Sequence, residues 1–91
     1  MRTVEVRITG RVQGVGYRAW TRDRARASDL SGWVKNLSDG SVVAHLSGEA
    51  DAVARLLAEM EDGPPLAEVL TVETDEAGVA TGPTHGFEVR R

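Results

Sequence analysis

A glycine-rich segment at residues 10–18 limits what this chain can fold into more than any other feature of the sequence. It reads G-R-V-Q-G-V-G-Y-R and has neither strand nor helix periodicity. Before it, apolar and polar residues alternate over Thr3–Thr9, which is the period-two pattern of a half-buried strand. After it, helix-compatible residues run from Arg18 to about Ser28. The chain must therefore pass from a strand into a helix within this one short turn.

A turn of this kind suits an oxyanion such as phosphate. Several backbone N–H groups point in one direction at the start of the helix, and the helix dipole adds partial positive charge there. Arg18 is expected in the first helical turn, where its planar guanidinium can bind two oxygens of the same anion. The segment matches neither the nucleotide P-loop, which needs a lysine followed by Ser or Thr, nor the dinucleotide fingerprint. From glycine spacing alone, a tight turn without a ligand stays the commoner explanation.

A hairpin is predicted after the first helix. Its strands cover Gly32–Leu37 and Ser41–Ser47. Asp39 and Gly40 lie between them, and Asp-Gly is a strong hairpin signal because glycine adopts positive φ without strain.

The second helix has the clearest pattern in the chain. Its apolar stripe has the spacing i, i+3, i+4 and i+7 and consists of Val53, Leu56, Leu57 and Met60. Gly63 ends the helix, and the two prolines that follow prevent its continuation.

The last third of the chain is predicted to hold two strands joined by a loop. The first strand covers about Ala67–Glu73, and its blurred alternation is compatible with a bulge. Residues 75–86 are expected to form a mobile, turn-rich loop before a short strand at Phe87–Arg90. The order βαββαβ plus a short terminal strand predicts a single α+β domain over residues 1–91. Its architecture is the ferredoxin-like split-βαβ sandwich, with two helices on one face of an antiparallel sheet.

A second segment makes the interpretation of the glycine-rich turn more specific. Residues 32–48 read G-W-V-K-N-L-S-D-G-S-V-V-A-H-L-S-G. Together with the turn at residues 10–18, this segment resembles the two signatures of the acylphosphatase family. Those signatures are a glycine loop that ends in arginine and a G-[aromatic]-V-K-N strand followed by a hairpin.

The resemblance implies an enzyme that hydrolyses a small-molecule acyl phosphate to a carboxylate and inorganic phosphate. It assigns phosphate binding to Arg18 and orientation of the attacking water to Asn36. It also implies that a phosphate-binding loop supplies backbone N–H groups; its residues are Gln13, Gly14, Val15, Gly16, Tyr17 and Arg18. Neither a metal nor an organic cofactor is implied.

Composition excludes several other kinds of function. The chain has no cysteine, so disulfides, thiolate metal sites and a cysteine nucleophile are excluded. The net charge of −3 argues against nucleic-acid binding, and no apolar stretch approaches a membrane span. Residues 1–35 nevertheless hold eight basic against three acidic residues, a net charge of +5 on the segment that carries the loop. We expect a monomeric cytoplasmic protein.

Other interpretations stay open at this point. An RNA-binding domain could share the fold, but its sheet-face aromatic motif is absent. A regulatory module could keep the loop without turnover, and related domains occur within larger carbamoyl-transfer proteins. Arg18 could pair with Asp23, and Asn36 could simply begin a turn. The remaining arginines of the first helix, at positions 22, 24 and 26, are interpreted as its solvent-facing side.

One departure from the usual family pattern affects the end of the first helix. Many members have glycine after this helix, where this chain has Asp29. Aspartate tolerates the left-handed conformation less well than glycine. We therefore expect stability, and not catalysis, to be affected at this position.

Overall fold

The computed structural model describes residues 1–77 and 85–91. The elements follow the predicted order: β1 (Arg2–Arg11), α1 (Tyr17–Ala27), β2 (Ser31–Asn36), β3 (Val42–Gly48), α2 (Ala50–Met60), β4 (Glu68–Glu76) and β5 (Phe87–Arg90). Within the described ranges, neither helix has the length and apolar character needed to cross a membrane.

The five strands form one sheet in the order β4-β1-β3-β2-β5. Three of its four strand pairs are antiparallel, while β5 runs parallel to β2, from Gly32 opposite Phe87 to Lys35 opposite Arg90. The sheet is therefore mixed and not wholly antiparallel as predicted. The reason is topological: the chain crosses from β4 at one edge to the other edge, where β5 joins β2 in the same direction.

The core lies between one face of the sheet and the two helices. Val4, Val6 and Ile8 alternate along β1 and are fully buried, and each is opposite an equally buried apolar residue of β3. α1 packs on β2 and β5, whereas α2 packs on β3 and β1. This arrangement confirms the predicted split-βαβ sandwich with both helices on one face.

The apolar stripe of α2 is confirmed, with Val53, Leu56 and Met60 fully buried. α1 presents a smaller apolar face, as its sequence indicates, and Tyr17 is its largest buried side chain. The Tyr17 hydroxyl donates a 2.7 Å hydrogen bond to the carbonyl oxygen of Met60, and burial raises the pKa of this phenol. The start of α1 is thereby joined to the end of α2.

The predicted hairpin and bulge are both present. Gly40 has a φ of 93°, and its N–H donates to the Leu37 carbonyl. In β4, Val69 pairs with Gly10 and Thr71 with Thr9, so Leu70 is the extra residue of a bulge and is 79% exposed.

β4 extends further than predicted, to Glu76. Its polar end pairs with the first half of β1, where Val4 is opposite Glu76. This long-range pairing outweighs the weak strand propensity of the acidic residues. The loop expected over residues 75–86 therefore begins later, and residues 78–84 lie outside the described residues.

The topology brings the two sequence signatures to one end of the sheet. β1 and β2 are both antiparallel to β3, so their carboxyl ends lie at the same end of the sheet. β5 is parallel to β2 and ends there as well. The glycine-rich segment after β1, Asn36 at the end of β2 and Arg90 at the end of β5 consequently lie close together.

Candidate active site

A cavity of about 370 Å³ opens at the end of the sheet where β1, β2 and β5 finish. It is lined by the start of α1, the end of β2 and the end of the chain: Val12, Gly14, Gly16, Tyr17, Arg18, Ala19, Arg22, Asn36, Val89 and Arg91. Among the described residues, three arginines and no acidic side chain line it. The cavity therefore has the electrostatic character of an anion site.

The glycine-rich turn enters the helix in a conformation that favours glycine. Gly14 and Gly16 have φ of 74° and 80°, and a Cβ atom at either position would have no neighbour within 4 Å among the described residues. Their conformation, and not crowding, therefore requires glycine here, and the missing side chains leave the cavity open. Gly16 is the N-cap of α1, and neither a capping side chain nor an acidic residue occupies its first turn. The positive end of the helix dipole thus faces the cavity without internal compensation.

Arg18 lies in the first turn of α1 and is held against the end of β5. Its Nη1 donates a 3.1 Å hydrogen bond to the carbonyl oxygen of Arg90. The alternative pairing with Asp23 is not observed; that carboxylate accepts from Arg22 at 3.0 Å instead. An arginine has five N–H donors, so one bond to the backbone orients the guanidinium and leaves donors for an anion.

Asn36 ends β2 and presents an amide to the same cavity. Its Oδ1 atom is buried and has no hydrogen-bond partner among the described residues. The turn that follows is instead capped by Asp39, whose Oδ1 accepts from the backbone nitrogen of Ser41 at 3.0 Å and its hydroxyl at 2.5 Å. A buried acceptor of this kind is costly in free energy unless a ligand or water donates to it.

Two side chains of the predicted loop point away from the cavity. The Gln13 side chain hydrogen-bonds the backbone around the hairpin, and Val15 packs against the core. The side chains of the predicted site that do meet at the cavity belong to Tyr17, Arg18 and Asn36. Gln13 and Val15 can therefore contribute to a ligand site only through their backbone groups.

Arg22 differs from the sequence-based expectation of a solvent-facing residue. It lines the cavity together with Arg91 at the end of the chain. The sequence does carry a signal for Arg22, because residues four apart in a helix lie on the same side, and Arg18 is four residues earlier. The position of Arg91 depends on the direction of β5, for which the sequence carries no such signal.

The other arginines of α1 bind elsewhere. Arg24 donates to Glu59 at 2.6 Å and lies over the Trp20 ring, 5.1 Å from its centroid. Arg26 donates to the carbonyl oxygen of Phe87 at 3.0 Å. Neither residue lines the cavity.

The aromatic pair Trp33 and His45 lies on the face of the sheet that points away from the two helices. Their rings are stacked with centroids 5.8 Å apart and planes 9° apart. Lys35 approaches the Trp33 ring at 5.6 Å, and burial lowers the pKa of His45. These residues do not line the cavity.

No group of three or more potential metal-ligating side chains occurs within residues 1–77 and 85–91.

Comparisons with a family model, with other sequences and with solved structures agree on one family. The acylphosphatase family model matches residues 4–89. An acylphosphatase of Rhizobium meliloti is 50% identical over 90 residues, which cover 99% of this chain and 94% of that protein. The crystal structure of acylphosphatase from Bacillus subtilis superposes with a TM-score of 0.94 at 31% identity and covers 100% of both chains. The structure of an acylphosphatase from Coxiella burnetii superposes with a TM-score of 0.90 at 38% identity and covers 98% of this chain and 92% of that one.

Proposed function

This chain belongs to the acylphosphatase family, and from that premise we propose how its cavity hydrolyses the carboxyl–phosphate bond of an acyl phosphate. The substrate is a small molecule, and the products are a carboxylate and inorganic phosphate. The leaving carboxylate is a weak base and needs little general-acid assistance. Catalysis therefore depends mainly on holding the phosphoryl oxygens and aiming a water molecule in line with the bond that breaks.

The phosphate-binding loop, residues 13–18, holds the phosphoryl group. Backbone N–H groups from Gln13 to Tyr17 donate to its oxygens, and the start of α1 contributes partial positive charge. Arg18 adds charge-assisted hydrogen bonds to two oxygens. Its bond to the Arg90 carbonyl supports this role, because a guanidinium fixed before the substrate binds loses less conformational entropy on binding.

Asn36 orients the attacking water. Its Oδ1 accepts a hydrogen bond from the water, and the lone pair of the water oxygen then faces the phosphorus atom. A bond forms between the water oxygen and phosphorus, while the phosphorus–oxygen bond to the acyl group breaks and its electron pair leaves with the carboxylate. A phosphoryl oxygen of the substrate takes the proton from the water, since no basic side chain of the described residues lines the cavity besides arginine.

One observation carries this proposal. The buried Oδ1 of Asn36 has no partner among the described residues, and Asn36 lines the same cavity as Arg18 and the loop glycines. An unpaired acceptor beside an anion site is what a mechanism based on an oriented water requires. The cytoplasmic location, the monomeric state and the independence from metal stay predictions.

The proposal is tested by steady-state hydrolysis of benzoyl phosphate in the presence of a chelator. The wild type is expected to turn over without added metal. Arg18→Ala and Asn36→Ala are each expected to lower kcat/KM by a factor on the order of 10² or more. Arg55→Gln is the control, because Arg55 is exposed on α2 and does not line the cavity.

Circular dichroism would establish that each variant is folded. A folded wild type without turnover, or full activity in either cavity variant, would contradict the proposal. A chelator-sensitive rate would contradict the metal-independent part of it.

A further inference from the structure

The cavity holds more cationic side chains than the proposed mechanism uses. Arg18 is assigned to the phosphoryl group, which leaves Arg22 and Arg91 on the cavity wall without a role. No acidic side chain of the described residues lines the cavity, and the Asp23 carboxylate that pairs with Arg22 lies outside it. A second negative charge on the substrate would therefore meet a favourable potential.

Arg22 lies where the acyl part of a substrate can reach it. It follows Arg18 by one turn of α1, which places the two Cβ atoms about 5–6 Å apart on the same side of the helix. The cavity, at about 370 Å³, is within the size range of pockets that bind small organic ligands. It can therefore hold an acyl group as well as the phosphate.

The guanidinium of Arg22 keeps N–H donors for a second anionic group on the substrate. Its side chain is 34% exposed, and its Nε is the atom that bonds the Asp23 carboxylate, which is itself 66% exposed. Ion pairs this exposed contribute little, so a substrate anion can compete with Asp23. The two terminal nitrogens of the guanidinium take no part in the bond to Asp23 and can donate to a substrate anion.

We propose that Arg22 is a specificity-determining residue that favours acyl phosphates with a second anionic group, a carboxylate or a phosphate, a few atoms from the reacting carbonyl. This role rests on the proposed function of the cavity. Arg22 does not contact the phosphoryl group in this scheme; it selects among acyl groups through the charge that they carry.

The test compares two substrates that differ in that charge alone. The probes are 4-carboxybenzoyl phosphate and its uncharged analogue 4-carbamoylbenzoyl phosphate, and the measured quantity is the ratio of their kcat/KM values. The wild type is expected to prefer the carboxylate probe. Arg22→Gln is expected to lower the ratio about fivefold, and Arg22→Lys to restore most of it. High salt should also reduce the wild-type ratio, because the interaction is partly exposed to solvent.

Arg55→Gln is the matched control, since it removes one positive charge from an exposed position away from the cavity. It is expected to leave the ratio unchanged. An unchanged ratio in Arg22→Gln, or an equal loss in Arg55→Gln, would overturn the role of Arg22 and leave the proposed function intact. Failure of the wild type to hydrolyse both probes, with benzoyl phosphate still hydrolysed, would overturn only the role of Arg22. Failure on benzoyl phosphate as well would overturn the proposed function too.

Discussion

The side-chain amide of Gln13 donates a 2.7 Å hydrogen bond to the backbone carbonyl of Leu37. The same nitrogen donates to the carbonyl of Ser41 at 2.9 Å. Leu37 directly follows Asn36, so this one amide joins the proposed phosphate-binding loop to the strand end that carries the proposed water-orienting residue. We infer that Gln13 keeps the two halves of the site in register, although its side chain does not line the cavity.

Replacing this amide by a carboxylate tests the inference. In Gln13→Glu, an acceptor faces two carbonyl acceptors, so we expect a loss of about 1–3 kcal/mol in the free energy of unfolding. We also expect kcat to fall roughly tenfold, because small displacements of positioning groups are costly in catalysis. Urea denaturation and steady-state kinetics measure the two effects.

Arg11→Gln serves as the control for this variant, because it makes the net charge more negative by the same amount at an exposed position nearby. Equal behaviour of Gln13→Glu and Arg11→Gln would show that charge, and not the hydrogen bonds, accounts for the result.

The end of α1 offers a stabilising substitution. Asp29 has a φ of 56°, and the carbonyl of Ala25 accepts from the Leu30 N–H at 2.9 Å, while that of Arg26 accepts from the Asp29 N–H at 3.2 Å. This is the Schellman pattern, in which glycine is the preferred residue at the position of Asp29. Asp29→Gly is therefore expected to raise the free energy of unfolding by about 0.5–1 kcal/mol.

The order of stability among variants at this position separates the backbone effect from a charge effect. We expect glycine to be most stable and asparagine to lie between glycine and alanine, because alanine has the left-handed strain without a compensating side-chain hydrogen bond. A lower denaturation midpoint for Asp29→Gly than for the wild type would refute this explanation.

The hairpin turn makes stability depend on pH through Asp39. Hydrogen bonds from the Ser41 side chain and backbone, together with Arg7, hold the pKa of the Asp39 carboxyl below its ordinary value. A carboxyl whose pKa is lowered by folding stabilises the folded state when the pH is above its unfolded-state pKa of about 3.9. That contribution is lost as the pH falls through the folded-state value.

Asp39→Asn is thus expected to be less stable than the wild type at pH 7, and the difference is expected to narrow below about pH 4. Urea titrations at several pH values measure this directly. A difference that stays constant down to pH 2, or no difference at pH 7, would mean that the carboxylate does not stabilise the turn.

The parts of this molecule that the sequence predicts correctly are those set by neighbouring residues. That Arg18 and Asn36 line one cavity could be predicted because each ends a contiguous signature, while their roles there stay predictions. The hairpin follows from Asp39 and Gly40. The stripe of α2 depends only on helical spacing. Local patterns of this kind survive folding because tertiary contacts reinforce them.

The parts of the molecule that the sequence does not predict depend on contacts between distant segments. β4 extends to Glu76 because β1 pairs with it, and β5 runs parallel to β2 because the chain crosses the sheet. The position of Arg91 in the cavity follows from that direction. The sequence favours a surface position for Arg22 because a charged helical side chain is usually solvated. Its spacing of four residues from Arg18 gains weight only with the cavity beside both side chains.

Separate roles for Arg18 and Asn36 can be distinguished by one measurement on Asn36→Ala: its kcat for benzoyl phosphate alongside its inhibition constant for inorganic phosphate. If Asn36 orients water while the loop and Arg18 bind phosphate, kcat falls by a factor on the order of 10², and the phosphate inhibition constant stays within about threefold of the wild-type value. A parallel loss of phosphate binding, or a kcat close to that of the wild type, would contradict that division of roles.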